Sequence, residues 1–111
     1  MEIVRDRADE IEIVAVEGRV DSTNANEVEE TLVPLLDAGG GTVLVDLENL
    51  AYISSAGLRT LLVAAKKSKA SGTRLALSGL QPGVKEVFEI SGFSKLFDIY
   101  DGRPAALASL S

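Results

Sequence analysis

The chain has 111 residues with eleven Lys/Arg against seventeen Asp/Glu, a net charge of −6, and 46% hydrophobic residues, which reads as one globular domain over residues 1–111. It contains no cysteine and no histidine, which excludes disulfides, thiolate chemistry and a Ser-His-Asp triad and removes the commonest general base and metal ligand. The negative charge argues against nucleic acid as the main partner, since a phosphate backbone is met by a basic surface.

The first residues, Met1 to Arg7, are charged and lack the apolar core of a secretory signal, and no apolar run is long enough to span a bilayer. A cytoplasmic protein with no membrane insertion is expected. Charge is unevenly placed. Residues 1–50 hold thirteen acidic side chains against three arginines, and residues 51–111 hold four against eight basic ones. Spread over every element, this pattern reads as solvated faces.

Ile3–Asp6 and Ile11–Glu17 read as two strands about an Ala8-Asp9-Glu10 turn. In the second, Ile11, Ile13 and Ala15 alternate with Glu12, Val14 and Val16, giving one apolar and one mixed face. Gly18 closes that strand, and Val20 to Asn24 form a polar connection. Asn24 and Glu27 fit a capping box opening a helix whose buried stripe is Ala25, Val28, Leu32, Leu35 and Leu36. Pro34 predicts a kink or an early end to it. Gly39-Gly40-Gly41 precede a strand at 42–47 instead of opening a helix, the reverse of the order a phosphate-cradling loop needs.

A second helix is expected from about Ala56 to Lys69, with Leu58, Leu61, Leu62 and Ala65 at i, i+3, i+4 and i+7. Tyr52 and Ile53 before it read as core and framework. Arg74–Ser78 reads as a strand. Gln81-Pro82-Gly83 opens a third helix with Val84, Val87 and Phe88 inward, stopped at Ser91-Gly92. Residues 97–100 give a last short strand and 104–110 a terminal helix. The alternation implies an α/β fold with a mixed, mostly parallel sheet of four to five strands and about four helices.

The chemistry concentrates in Ser54-Ser55-Ala56-Gly57-Leu58, where the second helix begins. The first N–H groups of a helix lack intrahelical partners and its dipole makes that end positive, so a serine there caps the helix and a phosphate there is electrostatically favoured. Gly57 reads as a close approach of backbone. Arg59 and Thr60 are expected to point outward beside Ser55. Arg59 reads as a partner contact, as a counter-ion for a phosphate on Ser55, or as a solvated arginine with no role. Asp21 by itself reads as a plain Asx turn closing the strand-to-helix connection.

This turn, with Gly18-Arg19-Val20-Asp21 before it and Ser78 to Gly92 after it, resembles the STAS domain family, specifically the bacterial anti-sigma factor antagonists. The resemblance spans nearly the whole chain in the same order. It implies a regulatory binding module, not an enzyme, with no cofactor, no metal and no catalytic residue, monomeric when free. The implied partners are an anti-sigma factor that is also an ATP-dependent serine kinase, bound by the unphosphorylated form, and a serine phosphatase that resets the switch. Aligned on Gly57-Leu58, the family's phosphoacceptor falls on Ser55, with Ser54 the alternative, standing where the family usually has aspartate. The implied partner-binding set is Asp21, Ser54, Ser55, Ala56, Gly57 and Arg59. A second reading keeps the domain and removes the phosphate: a docking subunit of a transporter or signalling complex. A nucleotide hydrolase is disfavoured, because no Gly-x-x-x-x-Gly-Lys-Ser/Thr run exists.

Overall fold

The computed structural model describes all 111 residues. An antiparallel hairpin, β1 (Glu2–Ala8) and β2 (Ile11–Val20), leads into α1 (Ala25–Asp37) and then β3 (Thr42–Asp46). A short strand β4 (Leu50–Ile53) precedes α2 (Ser55–Ser71), followed by β5 (Arg74–Ser78) and α3 (Pro82–Ile90). A 3-10 turn (Phe93–Leu96), β6 (Asp98–Tyr100) and α4 (Arg103–Leu110) complete the chain. The main sheet runs β1-β2-β3-β5-β6, parallel throughout except for the opening hairpin. The last residues of β2 leave this sheet's register and pair with β4, which makes a sixth strand.

Period-two alternation divides the core between the faces of this sheet. Val14, Val45 and Leu77 share a register and belong to the larger core, with Leu32 and Leu36 of α1, Leu61 of α2 and Phe88 of α3. Ile13, Leu44 and Ala76 share the next register and form a smaller core closed by Ala106 of α4. Both faces of β2 are therefore apolar over Ile11–Val16, Glu12 excepted, because helices cover both. Phe88 is fully buried and packs against Phe93 and Phe97 at centroid separations of 6.4 and 5.9 Å. No helix is long and apolar enough to cross a membrane.

Several expectations change here. Leu50–Ile53 is a strand that the sequence analysis does not assign, and Tyr52 within it is 41% exposed, not part of the core, while Ile53 is buried as expected. Pro34 does not shorten α1, which continues to Asp37. Pro34 sits on the exposed side, so the hydrogen bond it removes faces water while Leu32 and Leu36 stay buried. The three glycines at 39–41 all adopt left-handed φ of 75–76°, a turn that residues with a Cβ enter only with strain.

One polar clamp holds α4 to the sheet. The Asp46 side chain is only 6% exposed, and its Oδ2 accepts from Arg103 Nε at 2.9 Å while its Oδ1 accepts from the Glu48 N–H at 3.0 Å. Arg103 also reaches Asp6 on β1 at 3.4 Å. Removing the arginine leaves a buried carboxylate with half its partners. Arg103→Met is expected to cost about 2 kcal/mol by urea unfolding, and adding Asp46→Asn to recover more than half of it. Equal stability of the single variant and the parent would show that the clamp contributes nothing.

Candidate functional site

The site is built where β2 ends, β4 ends and α2 begins. Arg19 is registered with Tyr52 and Val20 with Ile53, and the Ser54 N–H extends that pairing by donating to the Val20 carbonyl at 2.9 Å. Ser54 stays extended, with φ −86° and ψ 174°, and its hydroxyl accepts from the Gly57 N–H at 3.3 Å. Its carbonyl accepts from the Leu58 N–H at 2.9 Å, the first bond of the helix. Ser54 is thus the N-cap, and its side chain is committed to one of the free donors of α2.

Ser55 is the first residue of α2, one position earlier than the start at Ala56 expected from periodicity. It is exposed, and its hydroxyl makes no hydrogen bond within the chain. No carboxylate lies in the first turn of α2, so the positive end of the helix is not offset by an acid of its own. Ala56 is half-buried beside it.

Gly57 fixes how close this turn comes to the strands. A Cβ there would stand 2.6 Å from Ile53 Cγ1 and 2.8 Å from Val20 Cγ1, closer than side-chain carbons approach one another. The glycine is read correctly from sequence, as packing. Thr60 is not. It is 5% exposed, on the buried side of α2 with Leu61 and Ala64, and its hydroxyl donates to the Ala25 carbonyl at 3.4 Å. Polar residue type suggested an outward side chain, but positions 57, 60, 61 and 64 share one helical face.

The loop between β2 and α1 lies beside the turn through the Val20–Ser54 bond. Asp21 Oδ1 accepts from both the N–H and the hydroxyl of Thr23, an Asx turn, and these two bonds with the nearby Arg19 charge hold its carboxyl below the usual carboxylate range. Asn24 does not cap α1 as expected. Its Oδ1 accepts from the Asp21 N–H at 2.9 Å and its Nδ2 donates to the Arg19 carbonyl at 3.0 Å, which closes the loop on itself.

Two further residues belong to this surface and escaped sequence reasoning. The Arg19 guanidinium lies 4.3 Å from the centroid of the Tyr52 ring, a cation–π contact between exposed side chains. Their pairing depends on β4, which a four-residue segment with two exposed middle positions does not announce. Arg59, one turn into α2, is exposed and makes no ion pair. The structure therefore brings Asp21, Arg19, Tyr52, Ser54 and Ser55 to one end of the strands, with Arg59 a helical turn away. With no histidine in the chain, Ser55 has no neighbouring imidazole to make it a nucleophile. Its hydroxyl is suited to being modified or to being covered by a partner.

The STAS domain family model matches residues 2–106. The chain belongs to the STAS domain family. It is 42% identical over 109 residues to BtrV of Bordetella bronchiseptica, a candidate anti-sigma factor antagonist, covering 98% of this chain and 94% of BtrV. To the anti-sigma-B factor antagonist of Staphylococcus aureus it is 30% identical over 89 residues, covering 80% and 82% of the two chains. Among solved structures, the Bacillus cell fate determinant SpoIIAA in its phosphorylated form superposes with a TM-score of 0.77 at 17% identity, over 99% of this chain and 100% of that one.

In this STAS domain the two serines are expected to separate by stability. Ser54→Ala loses a cap and should cost about 1 kcal/mol, and Gly57→Ala should cost about 1–3 kcal/mol by overpacking Val20 and Ile53. Ser55→Ala should stay within about 0.5 kcal/mol of the parent. Urea unfolding of the three variants checks the ranking; a Ser55→Ala loss as large as that of Ser54→Ala would reverse the assignment of the cap.

Proposed function

We infer that this STAS domain is an anti-sigma factor antagonist, a regulatory binding module and not a catalyst. In its unphosphorylated form it binds an anti-sigma factor that is also a serine kinase and so releases the sigma factor. The curated relatives named above support the antagonist role. The observation that carries the switch is the division of labour in the turn: the Ser54 hydroxyl is used by the helix, and the Ser55 hydroxyl is exposed and unused.

The partner's kinase activity transfers the γ-phosphoryl of ATP to Ser55 Oγ, with ADP leaving and the hydroxyl proton lost. A serine phosphatase restores the hydroxyl. The modification replaces a neutral group by one of about −1.5 to −2 charge at neutral pH. The domain itself accommodates it, because the phosphate stands at the uncompensated positive end of α2. A partner surface fitted to a hydroxyl has to desolvate that charge and loses affinity. Asp21, Ser54, Ala56, Gly57 and Arg59 complete the contact surface, to which the exposed Arg19–Tyr52 stack is added. Tyr and Arg are the side chains that most often anchor such interfaces.

The test is calorimetric binding to the cognate anti-sigma factor kinase. Ser55→Ala is expected to bind like the parent. A phosphate on Ser55, or Ser55→Asp in its place, is expected to weaken binding at least tenfold, which corresponds to about 1.4 kcal/mol. Undiminished binding by both charged forms would contradict the switch.

A further inference from the structure

We propose that Arg59 is the chain's own receptor for the phosphate on Ser55, so that modification withdraws a cation from the binding surface as well as adding an anion. The proposal rests on the reading of Ser55 as acceptor. Ser55 and Arg59 stand four residues apart on α2, where side chains are neighbours at about 5–6 Å between Cβ atoms. The Cα–Cβ bonds of a helix tilt toward its N-terminus, so the long arm of Arg59 leans back over Ser55.

Arg59 is also the arginine with nothing else to do. It is exposed and has neither an ion pair nor a hydrogen bond, whereas Arg5, Arg7, Arg74 and Arg103 are all paired with carboxylates. Arg19, the other cation near the turn, is stacked on Tyr52 and lies near Asp21. Lys66, Lys67 and Lys69 are about three to four turns along α2 from its first residue, beyond reach of it. No acid in the first turn of α2 competes for the guanidinium.

The turn is tied to the strands beneath it. Ser54 is tied to Val20 and to Gly57, and Gly57 is wedged against Val20 and Ile53. The phosphate is therefore neutralised where it stands, by the group that can swing to it, and a guanidinium offers two parallel donors to phosphate oxygens. In the unmodified protein those donors are available to a partner.

The experiment uses the full chain with phosphate installed on Ser55 during synthesis and follows its second ionisation by phosphorus-31 NMR. Arg59→Gln is expected to raise that pKa by about 0.5, because a pKa difference measures the interaction with the dianion and exposed pairs are screened. Arg59→Lys should restore most of the lowering, and Arg19→Gln should leave the value where it is. In the parent, the Arg59 Nε–H resonance should shift on phosphorylation. An Arg59→Gln titration that overlays the parent would overturn the proposal, as would a shift produced by Arg19→Gln alone. Because the phosphate is placed synthetically, the result is independent of any kinase. Failure to find Ser55 modified in cells would remove the functional reading and leave the measured pairing unchanged.

Discussion

The contact on which the site depends is the approach of α2's first turn to the ends of β2 and β4, closed to the point where residue 57 has no room for a Cβ. From that approach the rest of the turn follows. Val20 and Ile53 form the floor, the Ser54 N–H reaches the Val20 carbonyl, and the Ser54 hydroxyl turns back to the Gly57 N–H. Ser55 is then the first helical residue, directed outward from a backbone held on three sides. A bulkier residue at 57 would lift the helix and with it the cap and the serine.

Under the proposed switch, a turn tied down by these contacts lets a change confined to one hydroxyl govern association without refolding the domain. The loop beside it is similarly closed, by Asn24 bridging Arg19 and Asp21 and by Thr23 occupying the Asp21 carboxylate. Such a surface enters a complex with little left to order, so its affinity reflects fit and charge more than conformational cost. Under the proposed switch, the chain around Ser55 tolerates a dianion that a fitted partner does not. The Asp46–Arg103 clamp serves a separate end: it seats α4 on the other face of the sheet and leaves α1, α2 and α3 to share the larger core beneath the turn.

Much of this was legible in residue order. The stripes of α1 and α2, the Pro82 start of α3 and the glycine packing at 57 follow from periodicity and residue type, and the motif order points to the family. What was not legible depends on long-range contact. β4 shows buried Leu50 and Ile53 around exposed Ala51 and Tyr52, an i, i+3 pair that breaks strand alternation and is too short to establish a helix. Without β4 the Arg19–Tyr52 stack has no basis, because the two residues are 33 positions apart. Thr60 is polar by type and buried by position, and Asn24 spends its amide on loop closure in place of the helix cap. Ser54 and Ser55 are alike in sequence and differ only in which hydroxyl α2 has already engaged.

The measurement that tests the central claim most directly is a phosphopeptide map of this protein taken from its native cells, growing and stressed. The account predicts a single phosphate, on Ser55, whose occupancy changes with condition. An unmodified serine turn under every condition, in a protein that still binds its anti-sigma factor, would contradict it, and phosphate confined to Ser54 would contradict the assignment of the acceptor.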